Sequence, residues 1–334
     1  NGKSLSRRRS LSPSAARTVS QLCHGHDDLS AQRSLLTVSQ RFLTLAPFYQ
    51  SILTMKLIDG KALAQTIKDE IAVEVAAIVA KGKRPPHLAA VLIGDDPASQ
   101  SYVRNKVRSC EQVGFKSTMV RKEADITEEA LFEIIAQLNA DDEIDGFIVQ
   151  LPLPKHIDEE KVTLAIDPKK DVDGFHPENA GKLSVGLDCL APCTPSGIPE
   201  LISRSGIEMS GKHAVIIGRS NIVGKPLMNI LVQKNKGDCT VTCCHSGTDH
   251  LANFTRQADI LIAAIGVPKF VTAGMIKEGA TIIDVGINRI DDPEHSHGYR
   301  LVGDVDYDDV WGGAGAITPV PGGVGPMTVA MLMR

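Results

Sequence analysis

The chain has 334 residues, of which 43% are hydrophobic and 23% are charged, and its formal net charge is −4. This length predicts two domains, and the composition is typical of a soluble globular protein. The negative charge excludes a general attraction to nucleic acid or to an anionic membrane. No apolar run reaches the ~18 residues that a membrane span requires.

Residues 1–54 differ from the rest of the chain. They are rich in Ser and Arg, their only acidic residues are Asp27 and Asp28, and they show no clear periodicity. Such a segment is typical of a mitochondrial transit peptide, or of upstream sequence included by an incorrectly assigned start, with Met55 as the natural start. We favour the second interpretation and a cytoplasmic protein, with the mitochondrial matrix as the alternative. In both cases we expect disorder.

From Met55 onward, helical and strand patterns alternate. The first half predicts strands over 87–94, 118–121 and 146–150, and helices over 62–81, 99–114, 127–139 and 159–166. Gly114 is the expected C-cap of the second of these helices. This alternation predicts a parallel sheet with helices on both faces.

A linking helix is expected to begin at Thr194-Pro195-Ser196-Gly197. The second half then predicts strands over 213–217, 239–244, 259–264, 280–285 and 300–303, and helices over 224–235, 248–257 and 272–277. This order is typical of a Rossmann-type unit. The predicted fold class is therefore α/β with two domains, an N-terminal α/β domain followed by a Rossmann-type domain.

The segment from Gly218 to Pro226 carries the strongest functional signal. A β-branched run ends at Gly218, a polar turn follows, and Gly224 and Pro226 can open a helix. The N–H groups and the dipole at such a helix start favour an anion, so the layout is typical of phosphate binding. Ser220 replaces the second glycine of the usual G-x-G-x-x-G pattern and Val223 precedes the last, so a structural strand–helix turn remains the alternative.

The end of the next predicted strand indicates which dinucleotide binds. An NAD site usually places a carboxylate there for the ribose 2′-hydroxyl, whereas this chain offers Arg219 and the hydroxyls of Ser246 and Thr248. Arginine and hydroxyl donors suit a 2′-phosphate, so NADP is favoured over NAD. The alternative is that Arg219 is a solvated turn residue and Ser246 a helix N-cap.

Cys239, Cys243, Cys244 and His245 lie close together in the sequence. Neighbouring side chains of one strand point to opposite faces, so we expect no zinc site and no other bound metal. The seven cysteines are odd in number and scattered, which argues against a disulfide framework and favours a reducing compartment.

Tyr102 and Lys106 lie four residues apart on a predicted helix and share one face, with Ser99 one turn before them. Such a pair at the carboxyl edge of a parallel sheet is suited to acid–base catalysis, although the same spacing is common on solvated helix faces. Gln150 ends an apolar strand, at the edge where open α/β sheets bind ligands.

Asp171 and Asp173 precede Gly174. Strand alternation would place both carboxylates on one side, and a turn is the other possibility. Contact with a polar substrate ring, or a simple turn, is favoured over metal binding.

Three prolines and three glycines between Pro319 and Pro326 exclude regular helix or strand. This tail predicts a rigid loop that forms a wall of a binding site, and it is a candidate for a cis peptide bond. The alternative is a buried connection to a final helix that starts at Thr328.

These segments together resemble the bifunctional methylenetetrahydrofolate dehydrogenase/cyclohydrolase family, in order, from about Met55 to Arg334. The motifs that carry the resemblance are Tyr102–Lys106, Val149–Pro154, Lys170–Phe175, Pro192–Pro195, Gly218–Pro226, Asp284–Asn288, Gly303–Val305 and Pro319–Thr328.

The resemblance implies oxidation of 5,10-methylenetetrahydrofolate by NADP⁺, followed by hydrolysis to 10-formyltetrahydrofolate. It implies a folate-binding catalytic domain over 55–194 that is completed by 317–334, and an NADP-binding domain over 195–316. It also implies a homodimer formed through the cofactor domain, with no nucleic-acid or membrane partner.

The motifs assign roles to individual residues. Lys106 would activate water and shuttle a proton, Gln150 would orient that lysine, Tyr102 would stack on or position the folate, and Asp173 would anchor the pterin amino group. The other expected substrate-binding residues are Ser99, Leu151, Pro319, Gly322 and Gly323. The expected cofactor-binding residues are Gly218, Arg219, Ser220, Val223, Gly224, His245, Ser246, Ile287 and Thr328, of which Ile287 and Thr328 would lie near cofactor or substrate.

Three other interpretations were weighed: a dehydrogenase without cyclohydrolase activity, a non-catalytic folate-binding or dimerisation module, and another two-domain dehydrogenase. The set of Tyr102, Lys106 and Gln150 argues against the first. The presence of Lys106 together with the 218–226 turn argues against the second. The proline–glycine tail combined with the Gln150 loop argues against the third.

Overall fold

The computed structural model describes residues 55–295 and 298–334, which belong to one compact unit. The segment 1–54, for which the sequence predicts disorder, lies outside the described residues. None of the described helices is long and apolar enough to cross a membrane.

The first half contains the predicted alternation of strands and helices, and also one strand (Lys56–Leu57) and one helix (Pro177–Val185) that the sequence analysis did not predict. Its strands are β1 (Lys56–Leu57), β2 (His87–Ile93), β3 (Lys116–Lys122) and β4 (Gly146–Val149). Its helices are α1 (Gly60–Ala80), α2 (Pro97–Val113), α3 (Glu128–Ala140), α4 (Glu159–Ala165), α5 (Pro177–Val185) and α6 (Cys193–Arg204). Gly114 ends α2 in the left-handed conformation, with φ +82, which confirms it as the C-cap.

The second half contains more strands than the sequence predicts. Its strands are β5 (His213–Ile217), β6 (Thr240–Cys244), β7 (Ile260–Ala263), β8 (Thr281–Asp284), β9 (Asn288–Asp291), β10 (Tyr299–Val302) and β11 (Ala316–Ile317). Its helices are α7 (Gly224–Leu231), α8 (Ala252–Thr255), α9 (Tyr307–Val310) and α10 (Val324–Met333), and a 3-10 turn spans Ala273–Met275.

Strands β3, β2 and β4 form a parallel sheet in that order. Every residue of the central strand β2 is buried, which explains its unbroken apolar run. Because the strands are parallel, the chain leaves β2 and β4 at the same edge. That edge carries the loop after Ile93 and the side chain of Gln150.

A second, six-stranded sheet has the order β1-β11-β8-β7-β5-β6, and all of its pairs are parallel. Strand β5 runs into the Gly218 turn, with β6 and β7 on either side, as a Rossmann-type unit requires. The two halves together confirm the predicted α/β class.

The final helix α10 packs against α6, α1 and α2 of the first half. Met327 and Ala330 of α10 are fully buried in one core cluster with Ile198, Leu201 and Ile67. The final helix therefore lies on the first half of the molecule.

Several predicted elements of the second half were wrong in length or type. The helix predicted over 248–257 is confined to α8, because His250 adopts a positive φ of 51 and breaks a longer helix. The helix predicted over 272–277 is a single 3-10 turn. The strand predicted over 300–303 is β10, which pairs with the unpredicted β9 in an antiparallel hairpin.

Candidate active site

Lys106 and Gln150 meet at the carboxyl edge of the three-stranded sheet. The backbone N of Gln150 donates to the Val91 carbonyl at 2.9 Å, which fixes the residue directly after β4. Lys106 Nζ donates to Gln150 Oε1 at 3.2 Å, and Gln150 Nε2 donates to the Leu151 carbonyl at 2.7 Å. Because the Leu151 carbonyl accepts a hydrogen bond from the side-chain amide nitrogen of Gln150, the side-chain oxygen of Gln150 is the atom that accepts from Lys106.

The two carboxylates before Gly174 have different surroundings. Residues 172–173 form a turn, so the alternative to strand alternation is the observed one. Asp171 is 3% exposed and accepts hydrogen bonds from Gly174 N (3.1 Å), His176 N (2.8 Å) and Asn179 Nδ2 (3.1 Å). Asp171 therefore holds its own loop in place.

The Asp173 carboxylate instead interacts electrostatically with the Lys106 ammonium. Burial raises the pKa of the Asp173 carboxyl above its usual range, the Lys106 ammonium opposes this, and Asp171 adds to it. The carboxylate, the ammonium and the Gln150 amide thus form one polar cluster, which we call the Lys106 cluster.

The start of α6 borders the Lys106 cluster with two residues that the sequence analysis did not assign. Cys193 is buried, and its burial raises the pKa of its thiol to about 12, with the Asp173 carboxylate as the next cause. Thr194 Oγ1 and Thr328 Oγ1 lie 2.8 Å apart, which ties α6 to α10. The motif Pro192–Pro195 was the signal for both, but it marked a segment and no individual side chain.

A cleft of about 350 Å³ opens between α2, the helix that also carries Lys106, and the proline–glycine tail. We call it the central cleft. The residues that line it are Lys68, Tyr102, Asn105, Arg108, Ser109, Gln112, Asp284, Val285, Gly286, Ile287, Leu301, Pro319, Val320, Pro321, Gly322, Gly323, Val324, Gly325, Pro326 and Val329. Tyr102 is 48% exposed here, so its ring is available to a ligand.

The proline–glycine tail forms one wall of the central cleft, and its Val320–Pro321 bond is cis. The prediction that this tail excludes helix up to Pro326, with the final helix starting at Thr328, was wrong at its end. Helix α10 already begins at Val324, because Pro326 lies in its first turn, where a proline is tolerated.

The wall is anchored at the start of α1, where Lys61 N donates to the Gly322 carbonyl at 2.9 Å. Gly60 allows this close approach, because a Cβ at residue 60 would lie 2.6 Å from the Gly323 carbonyl carbon.

Two buried carboxylates link the loops around the central cleft. Asp284 accepts from the backbone N of Gly286 (3.0 Å), Asp304 (2.9 Å) and Val305 (3.0 Å). Burial raises the pKa of Asp284 to about 6, and these hydrogen bonds work in the opposite direction. The carboxylate therefore holds the 284–288 and 303–305 segments together.

Asp304 extends this connection to the loop after β7. It is 0% exposed, and its Oδ2 accepts from Ile265 N at 2.7 Å and from Gly266 N at 3.0 Å, while Asn288 Nδ2 donates to Oδ1 at 2.9 Å. The loop after β7 is therefore connected through Asp304 to the wall of the central cleft. The sequence analysis noted both motifs without this link.

A second cavity, of about 640 Å³, lies at the carboxyl ends of β5, β6 and β7, and we call it the Arg219 cavity. Its lining residues are Ile217, Gly218, Arg219, Ser220, His245, Ser246, Thr248, Leu251, Ala264, Ile265, Val267 and Phe270. The predicted phosphate-binding turn and the end of β6 therefore face one space.

The turn before α7 is held by its own serine. Ser220 Oγ accepts from Val223 N at 3.1 Å and from Gly224 N at 3.4 Å. Gly218 has a φ of 123, which only glycine adopts readily, and its neighbour Arg219 is exposed. Among the described residues, the Arg219 guanidinium has no hydrogen-bond or ion-pair partner and is free for an anion.

Three further predicted residues lie outside the Arg219 cavity. Ile287 lines the central cleft and not the Arg219 cavity, and Thr328 lies on α10 beside Thr194. Ser99 is buried in the first turn of α2, where its backbone N donates to Asp96 Oδ2 at 2.7 Å. Within 55–295 and 298–334 no group of three or more His, Cys, Asp or Glu side chains is placed to hold a metal ion.

The Arg219 cavity on a Rossmann-type sheet, with a lysine–glutamine pair in the neighbouring α/β half, defines a two-domain nucleotide-binding enzyme. Residues 58–173 match the model of the tetrahydrofolate dehydrogenase/cyclohydrolase catalytic domain, and residues 192–334 match that of the NAD(P)-binding domain of the same family. The chain therefore belongs to the tetrahydrofolate dehydrogenase/cyclohydrolase family.

Individual relatives agree. The bifunctional protein FolD of Chlorobium chlorochromatii is 57% identical over 283 residues, covering 84% of this chain and 96% of the relative. The crystal structure of the bifunctional enzyme FolD from Campylobacter jejuni is 45% identical, with a TM-score of 0.78, and covers 84% of this chain and 96% of that one. The Trypanosoma brucei enzyme, solved with NADP cofactor and an inhibitor, is 40% identical with a TM-score of 0.79, covering 84% and 95%.

Proposed function

We propose that the central cleft, the Lys106 cluster and the Arg219 cavity together carry out two successive reactions on one folate. In the first, 5,10-methylenetetrahydrofolate loses a hydride to NADP⁺ and becomes the 5,10-methenyl cation. In the second, water adds to that cation, the ring opens, one proton is released and 10-formyltetrahydrofolate is formed. The observation that carries this proposal is the Lys106–Gln150 hydrogen bond, together with the cleft that α2 and the proline–glycine tail line.

In the hydride step, the protein mainly positions the folate and the cofactor relative to each other. The folate nitrogen lone pair stabilises the developing cation, so no side chain has to supply an acid. Bound NADP⁺ supplies the hydride acceptor. Tyr102 and the 319–323 wall would hold the folate in the central cleft, and Asp173 would accept hydrogen bonds from the pterin amino group.

The hydrolysis step requires proton transfer, and we assign this role to Lys106. Its Nζ is held by Gln150 Oε1, and the Gln150 side chain is itself fixed by its hydrogen bond to the Leu151 carbonyl. Lys106 would activate the attacking water and carry a proton during ring opening. Gln150 is a positioning residue in this scheme, because it acts through the lysine.

Arg219 is proposed to bind the 2′-phosphate of NADP, together with Ser220, Ser246 and Thr248 of the same cavity. We predict that Arg219→Ala raises KM for NADP⁺ by about tenfold and leaves KM for NAD⁺ within twofold, since a charge-assisted contact contributes about 1.5–3 kcal/mol. Steady-state kinetics with both cofactors measures this. Arg256→Ala removes an exposed arginine of the same half that does not line the cavity and should change neither value.

The function itself is tested with purified protein, 5,10-methylenetetrahydrofolate, and NADP⁺ or NAD⁺ in parallel. Reduced cofactor and folate products are followed together. Formation of NADPH with 10-formyltetrahydrofolate is the expected result. Methenyl product that is not hydrolysed faster than in buffer would remove the cyclohydrolase assignment, and no reduction of either cofactor would remove both.

We also propose that the chain forms a homodimer through the second half. Strand β6 lies at an edge of the six-stranded sheet as described, so one row of its backbone groups is available to a partner. Light scattering of the purified protein should give a mass of twice the monomer. A monomer at micromolar concentration would contradict the proposal.

A further inference from the structure

The loops that follow β7 and β8 line two different cavities. Ile265, in the loop after β7, lines the Arg219 cavity, and residues 284–287, at the end of β8, line the central cleft. Because β7 and β8 pair in parallel, both loops leave the same edge of the six-stranded sheet. The relative position of these two loops therefore affects the distance between a ligand of one cavity and a ligand of the other.

The side chain of Asp304 joins the two loops. Its Oδ2 accepts from Ile265 N at 2.7 Å and from Gly266 N at 3.0 Å, and its Oδ1 accepts from Asn288 Nδ2 at 2.9 Å. Asp304 is fully buried, so water does not compete for these hydrogen bonds. One carboxylate therefore connects a loop of the Arg219 cavity to the segment that follows the wall of the central cleft.

The backbone of Asp304 is itself held from two sides. Its N donates to Asp284 Oδ1 at 2.9 Å, and its carbonyl accepts from Val271 N at 2.9 Å. Asp284 also accepts from Gly286 N at 3.0 Å, and its own N donates to Thr318 Oγ1 at 2.8 Å. The position of Asp304 is therefore fixed relative to the wall of the central cleft.

The two carboxylates pack directly against the backbone of these segments. A Cβ at residue 286 would lie 2.6 Å from Asp304 N, and a Cβ at residue 303 would lie 2.7 Å from Asp284 Oδ1. Glycine at both positions allows this close approach. The carboxylates thus act as short, close-packed links that leave the loops little room to shift.

Burial of this carboxylate pair is costly. Every hydrogen bond described for the side chains of Asp284 and Asp304 comes from an uncharged group, either a backbone N–H or the Asn288 amide. Burial raises the pKa of Asp284 to about 6, and the charge of Asp304 acts in the same direction. Because buried charges are weak evidence for a role in stability, the geometry that the pair imposes is the better explanation.

We propose that Asp304 is a positioning residue for hydride transfer, which sets the separation between the cofactor loop at 265–266 and the folate wall at 284–288. This inference rests on the proposed function. Asp304 lines neither cavity and acts through the loops that do. Hydride transfer requires the reacting atoms to lie about 3–3.5 Å apart, so a small shift of either loop slows it. Hydrolysis of the methenyl cation involves no cofactor and does not depend on this separation.

The test is the variant Asp304→Asn, which keeps the size of the side chain but replaces one acceptor oxygen with an NH₂ group that cannot accept. We expect kcat for NADPH formation to fall by about tenfold to hundredfold, the effect of a misplacement of up to about 1 Å. KM for NADP⁺ should stay within about threefold, because the contacts of Arg219 are unchanged. The rate of methenyl hydrolysis at saturating substrate should stay within about twofold.

An isotope effect identifies the step that has slowed. The dehydrogenase reaction is measured with 5,10-methylenetetrahydrofolate that carries two deuterium atoms on the bridging carbon. In Asp304→Asn the isotope effect on kcat should be at least as large as in the wild type, because hydride transfer itself is slower. A smaller isotope effect would assign the loss to another step and overturn the proposal.

A milder variant and a matched control complete the test. Asn288→Ala removes one of the three hydrogen bonds to the Asp304 side chain and should lower the same kcat by about threefold, the effect of one neutral hydrogen bond. Asp309→Asn alters an exposed carboxylate that also accepts from a backbone N–H, that of Ala273 at 2.7 Å, but lines neither cavity. This control should retain both activities.

The remaining outcomes separate this inference from the function on which it rests. A parallel fall of both activities with a lower melting temperature, in Asp304→Asn and in Asn288→Ala, would show that Asp304 only maintains the fold. Wild-type kcat in both variants would also overturn the positioning role. A wild-type protein that reduces neither cofactor would overturn the proposed function as well.

Discussion

Lys106→Ala should abolish most of the cyclohydrolase activity and leave most of the dehydrogenase activity. Lys106 is the amine of its cluster, and its Nζ is held in place by Gln150 Oε1. Loss of such a group lowers kcat by about 10²–10⁴-fold, whereas the hydride step loses only a positioning contact. The measurement is the rate of methenyl hydrolysis against the rate of NADPH formation on the same preparation.

Arg104→Ala, two residues earlier on α2 and exposed, is the matched control and should retain both activities. An equal fall of both activities in Lys106→Ala would contradict the assignment. The variant also has a pH signature. The Lys106 ammonium is the group that lowers the pKa of Asp173, so its removal raises that pKa further. The Asp173 carboxylate is lost as pH falls through its pKa, so KM for folate should begin to rise at a higher pH in the variant.

Gly224→Ala should weaken cofactor binding and destabilise the fold together. A Cβ at residue 224 would lie 2.7 Å from the Gly218 carbonyl carbon and 2.9 Å from Arg219 Cα. These are backbone atoms of the turn that lines the Arg219 cavity, so α7 and the turn must separate. Such overpacking costs about 1–3 kcal/mol. We expect KM for NADP⁺ to rise at least about tenfold, since that corresponds to ~1.4 kcal/mol.

Thermal unfolding and NADP⁺ titration of Gly224→Ala measure the two effects. Gly247→Ala provides a control in the same region, because its Cβ would meet only the His245 ring, at 3.4 Å. That substitution should change the melting temperature by less than about 2 °C. A Gly224→Ala protein with wild-type stability and NADP⁺ affinity would show that the turn accommodates a side chain, against the close approach that the structure describes.

Much of the fold could be predicted from local patterns. The predicted helix start at Thr127 is the observed N-cap of α3, and the run HLAAVLIG contains β2, because capping and uninterrupted apolar strands are local signals. Helix α5 was missed although its signals were present, with His176 as N-cap, Pro177 in the first turn and Gly186 in the left-handed conformation at its end.

The unpredicted strands have a different cause. β1 and β11 contain two residues each. They are strands only because β1 pairs with β11 and β11 pairs with β8. Residues 56 and 316 pair although they are far apart in the sequence, so no local sequence pattern indicates their pairing. Only the folded chain brings those segments together, so periodicity could not reveal them.

The candidate site shows the same division. Spacing alone left the pair of Tyr102 and Lys106 ambiguous, and only the motif resemblance singled out Lys106. The hydrogen bond to Gln150 is a contact between residues 44 apart in sequence, which no local pattern encodes.

The pairing of β1 with β11 limits how a protein with this fold can evolve. The first described strand belongs to the sheet of the second half, and the last helix packs on the first half. Neither half is a contiguous module that a single crossover could exchange for another. A shift in coenzyme choice is therefore expected to arise by substitution of residues around the Arg219 cavity, and not by the replacement of one nucleotide-binding module by another.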